Sequence, residues 1–278
     1  MIAIVLALGA AFGWGASDFI GGMKSRRVPL LSVLMISQAT ALGLLAVVTA
    51  ARGAGVPEPA ALGWAAAAGL AETLAVAALY RGLAVGTISI VAAVAATAPM
   101  VPLLTGLVLG EVPGRIQLAG LVFAVLGLVV ASAQGRGGSA GRVLPSVGYG
   151  ALAAVGFGLF FLAMDTASAH DIGWSLFAAR LTAVLAIGAV VLATRHRIAV
   201  PTKEIPGIAL VGVLIVAADA LYATASTLGV VGVVSVLGAL HTLVTMALAR
   251  LFLGERLART QRAGVATALL GVLAISAG

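Results

Sequence analysis

Long apolar runs occupy most of this sequence of 278 residues. Each run is close to the roughly 20 residues that an α-helix needs to cross the hydrocarbon core of a bilayer. Charged residues make up only 9% of the chain, against about 25% in an ordinary soluble domain, so there is too little polar surface for a water-soluble fold. The runs lie at residues 2–22, 28–51, 60–80, 86–109, 115–133, 145–164, 173–194, 205–224, 228–253 and 261–277.

These runs predict an all-α integral membrane protein with ten transmembrane helices. They are too long for the strands of a transmembrane barrel, and they lack the alternation of such strands. The first run has no basic segment before it, which indicates a retained span and not a cleaved signal peptide. We expect a multi-pass protein of the cytoplasmic membrane. Because the chain has no cysteine, thiolate metal ligands and a cysteine nucleophile are excluded, and we expect neither a metal nor a cofactor.

The second half of the sequence repeats the first. A shift of 144 residues places Leu109-Gly110-Glu111 on Leu253-Gly254-Glu255, and a shift of 142 places Leu79-Tyr80 on Leu221-Tyr222. Apolar composition produces chance matches of alanine and leucine, but not an ordered series that includes glycine and glutamate. The pattern therefore indicates an internal duplication.

The duplication predicts two units, residues 1–134 and residues 143–278, joined by a glycine-rich linker at Gly135–Gly141. With five spans in each unit, an odd number, the second unit enters the membrane from the opposite side. Inverted repeats of this kind commonly form a substrate site where the two units meet, and rocking one unit against the other gives alternating access.

Basic residues give the net charge of +7 and lie between the apolar runs, where they indicate topology and no nucleic-acid partner. The loops after odd-numbered runs hold most of them, including Lys24 and Arg195. The loops after even-numbered runs hold only Arg52 and Arg115. The positive-inside rule therefore predicts that the odd-numbered loops are cytoplasmic and that both termini lie outside.

Three segments carry a resemblance to a known family: Trp14–Phe19 (WGASDF), Ala78–Ala84 (ALYRGLA), and the pattern Gly-Glu followed by Gln and Gly at Gly110–Gly120 and again at Gly254–Gly264. In these the sequence resembles EamA-type members of the drug/metabolite transporter superfamily. The resemblance implies a ten-helix transporter of metabolites, amino acids or drugs that is often an exporter. It also implies cytoplasmic termini, against the charge rule, so the orientation stays open.

Glu72 lies well inside the third run. Charged side chains at the centre of a bilayer cost roughly 2.5–3.5 kcal/mol even on insertion scales, and they mark functional sites or pair with a partner. Because burial disfavours the ionised form of a carboxyl group, Glu72 is a candidate proton-binding group. The alternative is a purely structural hydrogen bond to a neighbouring helix.

Trp14 and Asp18 are four residues apart and share one helix face. An aromatic ring beside a carboxylate could hold a cationic or zwitterionic solute. In the alternative interpretation, Asp18 pairs with Lys24 or Arg26 near the end of the span. Both side chains are candidates for the substrate pathway.

Asp219, Tyr222 and Ser226 form a polar stripe on one face of the eighth span, which lines either a cavity or a helix–helix contact. His241 lies near the middle of the ninth span. It is either a hydrogen-bonded structural residue or a proton relay. With no second histidine at ligand spacing, we expect no metal site there.

Pro99 and Pro102 interrupt the fourth run. Proline breaks the helical bond to the carbonyl four residues earlier, which would free the carbonyls of Ala95 and Ala98 as solute ligands, form a hinge, or simply kink the helix. The ninth run has Leu243 in the place of Pro99, so the two halves are expected to differ here.

Gln38 and Arg180 occupy matched positions in the second and seventh runs. Arg180 is a candidate anion-binding group, or its side chain extends to the membrane interface. Tyr80, which the repeat matches to Tyr222, completes the candidate set.

The favoured function is secondary transport of a small metabolite, amino acid or drug-like solute by alternating access, with export as the expected direction and protons as a candidate coupling ion. Its partners are then a small-molecule substrate and the lipid bilayer, in a monomer or a homodimer. We expect no enzyme, because the chain has no nucleotide-binding G-x-x-x-x-G-K-[ST] motif and no converging catalytic groups. The alternatives are a channel or a non-transporting structural membrane partner, and then an intramembrane lipid-modifying enzyme.

Overall fold

The computed structural model describes residues 1–25, 27–85, 91, 94–110, 113–132, 143–253 and 259–277. Within these residues the regular structure is helical throughout. The helices are α1 (Ile2–Ser25), α2 (Leu30–Arg52), α3 (Pro59–Val85), α4 (Met100–Val108), α5 (Arg115–Ser132), α6 (Val143–Ser168), α7 (Ile172–Ala193), α8 (Ile205–Leu228), α9 (Val231–Gly238), α10 (His241–Leu253) and α11 (Arg259–Ala277), with a 3₁₀ turn at Thr202–Glu204.

Six of the described helices are long and apolar enough to cross a membrane, namely α1, α2, α3, α6, α7 and α8. Shorter apolar helical segments lie at Arg115–Val130, Val231–Thr245 and Arg262–Ile275. The helices overlap the predicted runs in the predicted order, and several of them extend a few residues beyond a run. The all-α membrane class is confirmed. The glycine-rich linker Gly135–Gly141, and Glu111 and Glu255 of the repeated motif, lie outside the described residues.

Helices of the first half pack mainly on helices of the second half. Helix α1 packs on α8, α3 packs on α6 and α7, α2 packs on α7 and α8, and α5 packs on α11. The duplication pairs α1 with α6, α2 with α7, and α3 with α8. Under this pairing the contact of α1 with α8 corresponds to the contact of α6 with α3. The contact of α3 with α7 likewise corresponds to the contact of α8 with α2. The packing is therefore interleaved and related by the duplication.

Glycines that allow close helix contact show the same relation. A Cβ atom on Gly13 would lie 2.9 Å from the Cβ of Ala218, and one on Gly156 would lie 2.8 Å from the Cβ of Ala75. A shift of 143 residues converts the first contact into the second. Small residues let helix backbones approach closely in membranes. Shifts of 142 to 144 residues relate two more pairs of contacts in the same manner. The contact of Gly69 with Ala179 corresponds to that of Gly212 with Ser37, and the contact of Gly127 with Ala268 corresponds to that of Gly271 with Ala124.

Both the fourth and the ninth spans are interrupted. Residues 96–99 form a turn before α4 begins at Met100. Helix α9 ends at Gly238 and α10 begins at His241, with a turn of two residues between them. The expectation that the halves differ here, because only the fourth span contains Pro99, is therefore wrong. The two breaks are also packed alike: a Cβ on Gly158 would lie 2.9 Å from the Ala98 carbonyl oxygen, and one on Gly15 would lie 2.6 Å from that of His241.

The carbonyl groups at the first break are not free, contrary to the expectation from the prolines. The Ala98 N–H donates to the Ala95 carbonyl at 3.1 Å, and the Val101 N–H donates to the Ala98 carbonyl at 3.1 Å. These bonds span three residues in place of four, as in a 3₁₀ turn. The tighter turn satisfies both acceptors, so Pro99 and Pro102 change the path of the chain without leaving orphan carbonyls.

Candidate functional site

The guanidinium group of Arg180 lies at the centre of the bundle, and its side chain is fully buried. Its Nη1 donates to Gln38 Oε1 at 2.9 Å, and its Nη2 donates to Asp219 Oδ2 at 2.6 Å. Nη1 also donates to Glu72 Oε1 at 3.2 Å. The three acceptors come from α2, α8 and α3, so one side chain of α7 joins four helices from both halves.

The full burial of Arg180 contradicts the interpretation that its side chain extends to the interface. Both terminal nitrogens already bond to oxygens of Gln38, Glu72 and Asp219, and binding of an anionic solute by Arg180 stays a prediction. A guanidinium presents its donors in a planar fork that suits such acceptors. Its Nε is buried and has no hydrogen-bond partner among the described residues, so the fork is only partly satisfied.

Asp219 is the most tightly held carboxylate of this group. Its Oδ2 accepts from Arg180, and its Oδ1 accepts from the indole Nε1 of Trp14 at 2.8 Å. The side chain has no exposed surface. A buried carboxylate needs this kind of pairing, since an uncompensated charge inside a protein is costly. Trp14 thus acts through Asp219 on the same network.

Glu72 is held more loosely. Its Oε2 lies 2.8 Å from Arg180 Nη2, yet this oxygen makes no aligned hydrogen bond within the part of the chain that the structure describes. At this oxygen Glu72 and Arg180 therefore attract each other as charges, without the alignment of a hydrogen bond. The Glu72 side chain also keeps 17% of its surface exposed, whereas that of Asp219 keeps none. Of the two acids, only Glu72 keeps exposed surface, and its Oε2 atom is itself buried.

The charges of the network do not balance when both acids are ionised. Arg180 supplies one positive charge, and Glu72 and Asp219 supply two negative charges. Burial of a net charge is unfavourable, so such a site tends to take up a proton or a cation. The arrangement suits reversible binding of one positive charge and provides no nucleophile paired with a base.

An aromatic cluster borders the network on one side. The ring of Trp14 has its centroid 5.4 Å from that of Tyr222 and 6.3 and 6.2 Å from those of Phe160 and Phe161. The Tyr222 hydroxyl lies 2.9 Å from the Ser235 hydroxyl. Tyr222 is fully buried, so in this structure the predicted stripe on α8 forms helix contacts.

Ser226 is also buried, and its hydroxyl donates within α8 to the Ala223 carbonyl. Phe160 and Phe161 were not among the predicted site residues. No local signal distinguishes them, because adjacent phenylalanines are ordinary in an apolar run.

Asp18 and His241 form a second polar pair near this cluster. His241 Nδ1 lies 2.9 Å from Asp18 Oδ2, with side chains 34% and 47% exposed. The expected alternative partner Lys24 instead donates to Glu204 at 2.7 Å. The Trp14 and His241 rings are 6.2 Å apart, so the structure brings Trp14, Asp18 and His241 together.

The remaining predicted residues are placed as follows. Pro99 is buried at the start of α4, and no described contact joins it to Arg180. Tyr80 lies in α3, but its side chain is outside the described residues. Among the described residues no group of three histidine, aspartate or glutamate side chains could hold a metal ion.

Two ion pairs at opposite ends of the bundle also join the halves. Arg52, at the end of α2, makes two hydrogen bonds of 2.9 and 2.7 Å to Asp171. The N–H group of Trp174 donates to Asp171 at 2.8 Å, so Asp171 also caps α7. These bonds hold the pKa of Asp171 below its usual range, with the bond from Arg52 as the first cause. The other end carries the Lys24–Glu204 pair.

Neither of these end pairs was predicted from the sequence. An aspartate directly before an apolar run is a signal for a helix cap, and it could have located Asp171. It could not have revealed Arg52, which lies more than a hundred residues away.

Comparisons with known proteins agree with the fold. The model of a family described as "EamA-like transporter family" matches residues 1–133 and 144–277. No curated protein matches the chain. A solved structure described as "Crystal structure of protein" superposes with a TM-score of 0.81 over 98% of this chain and 95% of that chain, at 16% sequence identity. At such low identity this likeness shows the fold alone.

Proposed function

Because this chain belongs to the EamA-like transporter family, whose model matches both of its halves, we propose that it is a secondary transporter of a small solute. The solute is a metabolite, an amino acid or a drug-like molecule, and export is the expected direction. The membrane is the cytoplasmic membrane, which the protein crosses ten times.

The ten spans comprise α1, α2, α3, the fourth span that ends in α4, α5, α6, α7, α8, the broken helix α9–α10, and α11. Five spans in each half make the halves inverted relative to each other. The paired glycine contacts support this arrangement, because each contact recurs after a shift of 142 to 144 residues. Motion of one half against the other would expose the centre to each side of the membrane in turn.

The observation that carries the proposal is the Arg180 network. It lies where α7 and α8 of one half meet α2 and α3 of the other, which is where inverted-repeat transporters bind solute. A network held by both halves changes whenever the halves move. Binding at this position is therefore coupled to the transport motion.

Glu72 is the proposed proton-binding group for a proton-coupled cycle. It is the more exposed carboxylate and the less well aligned with Arg180. Protonation would remove its charge, weaken its attraction to Arg180 and leave the pair of Arg180 with Asp219 neutral. Asp219 keeps its place through Trp14.

Flux into proteoliposomes tests the function. The purified protein is reconstituted and supplied with a panel of amino acids and cationic drugs, with and without a pH gradient. Gradient-driven movement of at least one solute is expected, and its complete absence across a broad panel would count against transport. Glu72→Gln should keep downhill exchange but lose the response to the gradient, because the amide does not take up a proton at these pH values.

The matched control is Glu58→Gln, which changes an exposed carboxylate near the end of the bundle. Its flux should equal that of the unaltered protein. If Glu72→Gln retains full gradient-driven flux, the proton role of Glu72 is wrong while transport itself stands.

A further inference from the structure

The guanidinium of Arg180 fills a cradle built by Gln38, Glu72 and Asp219. Two carboxylates and one amide oxygen converge on it at 2.6 to 3.2 Å. These acceptors come from three helices of both halves, and Arg180 reaches them from a fourth. The protein therefore places its own cation at the position where the two halves meet.

The cradle favours positive charge over negative charge. Without Arg180 its two carboxylates would lie close together in a buried site, where like charges repel strongly and few water molecules can screen them. An anionic head group would increase this repulsion. A neutral head group would not offset it. A head group with one positive charge and several N–H donors would replace what Arg180 supplies.

The hold of Arg180 on the cradle is uneven. At the Asp219 side the bond is 2.6 Å and a second donor, Trp14, fixes the acid. At the Glu72 side no described group donates to Oε2 in good alignment, and no described acceptor meets the Arg180 Nε. Part of the Glu72 side chain is exposed, although Oε2 itself is buried. A competing cation would therefore approach at Glu72 and displace that side of the fork first.

We propose that Gln38, Glu72 and Asp219 form a head-group site for a monovalent organic cation with N–H donors, such as a guanidinium or a primary ammonium, and that Arg180 is its tethered competitor. This inference rests on the proposed function for its role in transport. It names the substrate class that the centre accepts. Arg180 fills the site when the solute is absent and so prevents the acids from facing each other unpaired.

Chemical rescue of Arg180→Ala tests the site without any transport assay. The melting temperature of the purified variant is measured in detergent with millimolar guanidinium, far below the molar range in which guanidinium denatures proteins. Tetramethylammonium and sodium at equal ionic strength serve as comparison cations. A ligand at ten times its Kd should raise the melting temperature of a chain of this size by about 2–4 °C.

The melting temperature of Arg180→Ala should rise with guanidinium and with methylammonium. Neither tetramethylammonium nor sodium should reproduce this rise. Wild-type protein should respond less, since Arg180 occupies the cradle. The matched control is Arg52→Ala, which removes an arginine from an exposed carboxylate pair and should show no selective rise. In Glu72→Gln/Arg180→Ala the rise should shrink, because one of the two carboxylates is lost.

An equal effect of all four cations, or none from any, would overturn the site. A selective effect of sodium would assign the cradle to an inorganic cation and would also overturn the proposal. Arg180→Lys is the second variant if the alanine variant unfolds, because it keeps the charge but loses the planar fork. Failure of both variants to accumulate even with guanidinium in the growth medium would count against the proposal, since the free ion should replace the side chain.

Flux separates this inference from the proposed function. Selective rescue without transport of any solute would support the cradle and contradict the transporter. Transport restricted to neutral or anionic solutes, with no selective rescue, would support the transporter and contradict the cradle.

Discussion

Two arginine–carboxylate pairs involve α7 or its cap, namely Arg180 with Asp219 and Arg52 with Asp171, and they differ mainly in depth. The guanidinium of Arg180 and the carboxylate of Asp219 have no exposed surface, whereas Arg52 and Asp171 are 42% and 20% exposed. Both pairs are short, at 2.6 and 2.7 Å. The chemistry and the distances are alike, so any difference in their effects must come from the surroundings.

The difference shows that distance alone does not determine what an ion pair contributes. At the end of the bundle water can solvate Arg52 if its partner is lost, and exposed pairs contribute only about 0–1 kcal/mol. In the centre both side chains are fully buried, and breaking a buried pair by removing one partner is strongly destabilising. The central pair therefore contributes more to stability by joining α7 to α8, and the same guanidinium also bonds to Gln38 and Glu72 of the first half. The end pair adds little to stability.

The largest effect is expected for Asp219→Ala. The substitution leaves Arg180 without its shortest bond and Trp14 without its acceptor. Breaking a buried pair costs about 3–5 kcal/mol, which should appear as a large fall in the denaturation midpoint of the protein in detergent. Asp171→Ala is the matched control at the end of the bundle. Equal losses of stability in Asp219→Ala and Asp171→Ala would contradict a difference between the buried central pair and the exposed end pair.

Much of the central site could be predicted because polar residues are rare in the apolar runs. Gln38, Glu72, Arg180 and Asp219 stand out in the sequence on that ground alone. The structure places them within one network. The repeat likewise predicted the equivalence of Gln38 and Arg180, and their side chains are in direct contact.

The partners within the site could not be predicted, because a run of apolar residues does not specify how its helix is rotated or which helix it faces. The sequence therefore predicted that Arg180 binds an anion or extends to the membrane interface. In the structure it bonds to the carboxylates of Glu72 and Asp219. The break between α9 and α10 was missed because no proline marks it. Contacts between distant residues, such as Arg52 with Asp171, depend on how the two halves interleave.

The next effect concerns the close packing that lets the central acids reach Arg180. Gly69, one turn before Glu72, lies against the backbone of Ala179, and its counterpart Gly212 lies against that of Ser37. An added methyl group must separate the helices, and overpacking costs about 1–3 kcal/mol. Gly69→Ala and Gly212→Ala should thus lower stability by similar amounts in thermal unfolding.

Gly43→Ala is the control for this pair, since a Cβ there would meet nothing within 4 Å. It should leave stability unchanged or raise it by up to about 1 kcal/mol, as alanine favours helix over glycine. A large cost at Gly69 but none at Gly212 would contradict the paired packing of the two halves.

A smaller effect is expected for Trp14→Phe. Phenylalanine keeps much of the aromatic contact with Tyr222 but cannot donate to Asp219. An unsatisfied buried acceptor costs about 1–3 kcal/mol, and the lower part of this range applies because Arg180 still bonds the same carboxylate. The free energy of unfolding is also measured for Asp219→Asn and for the double variant Trp14→Phe/Asp219→Asn, which gives the coupling between the two side chains. If the two substitutions are fully additive, the indole does not act through Asp219.

The smallest effect is expected for Asp171→Asn, which keeps an acceptor for the cap of α7 but removes the charge that faces Arg52. The loss should be about 0.2–1 kcal/mol and should diminish as salt is added. Because the bonds from Arg52 lower the pKa of Asp171 in the folded protein, the ionised carboxylate stabilises the fold above the unfolded aspartate pKa of about 3.9. That contribution is lost as the pH falls through the lower folded pKa, so the stability difference between the two proteins should disappear in acid. A difference that persists unchanged at low pH and in high salt would show that Asp171 acts through its cap alone, and the end pair would then contribute nothing as an ion pair.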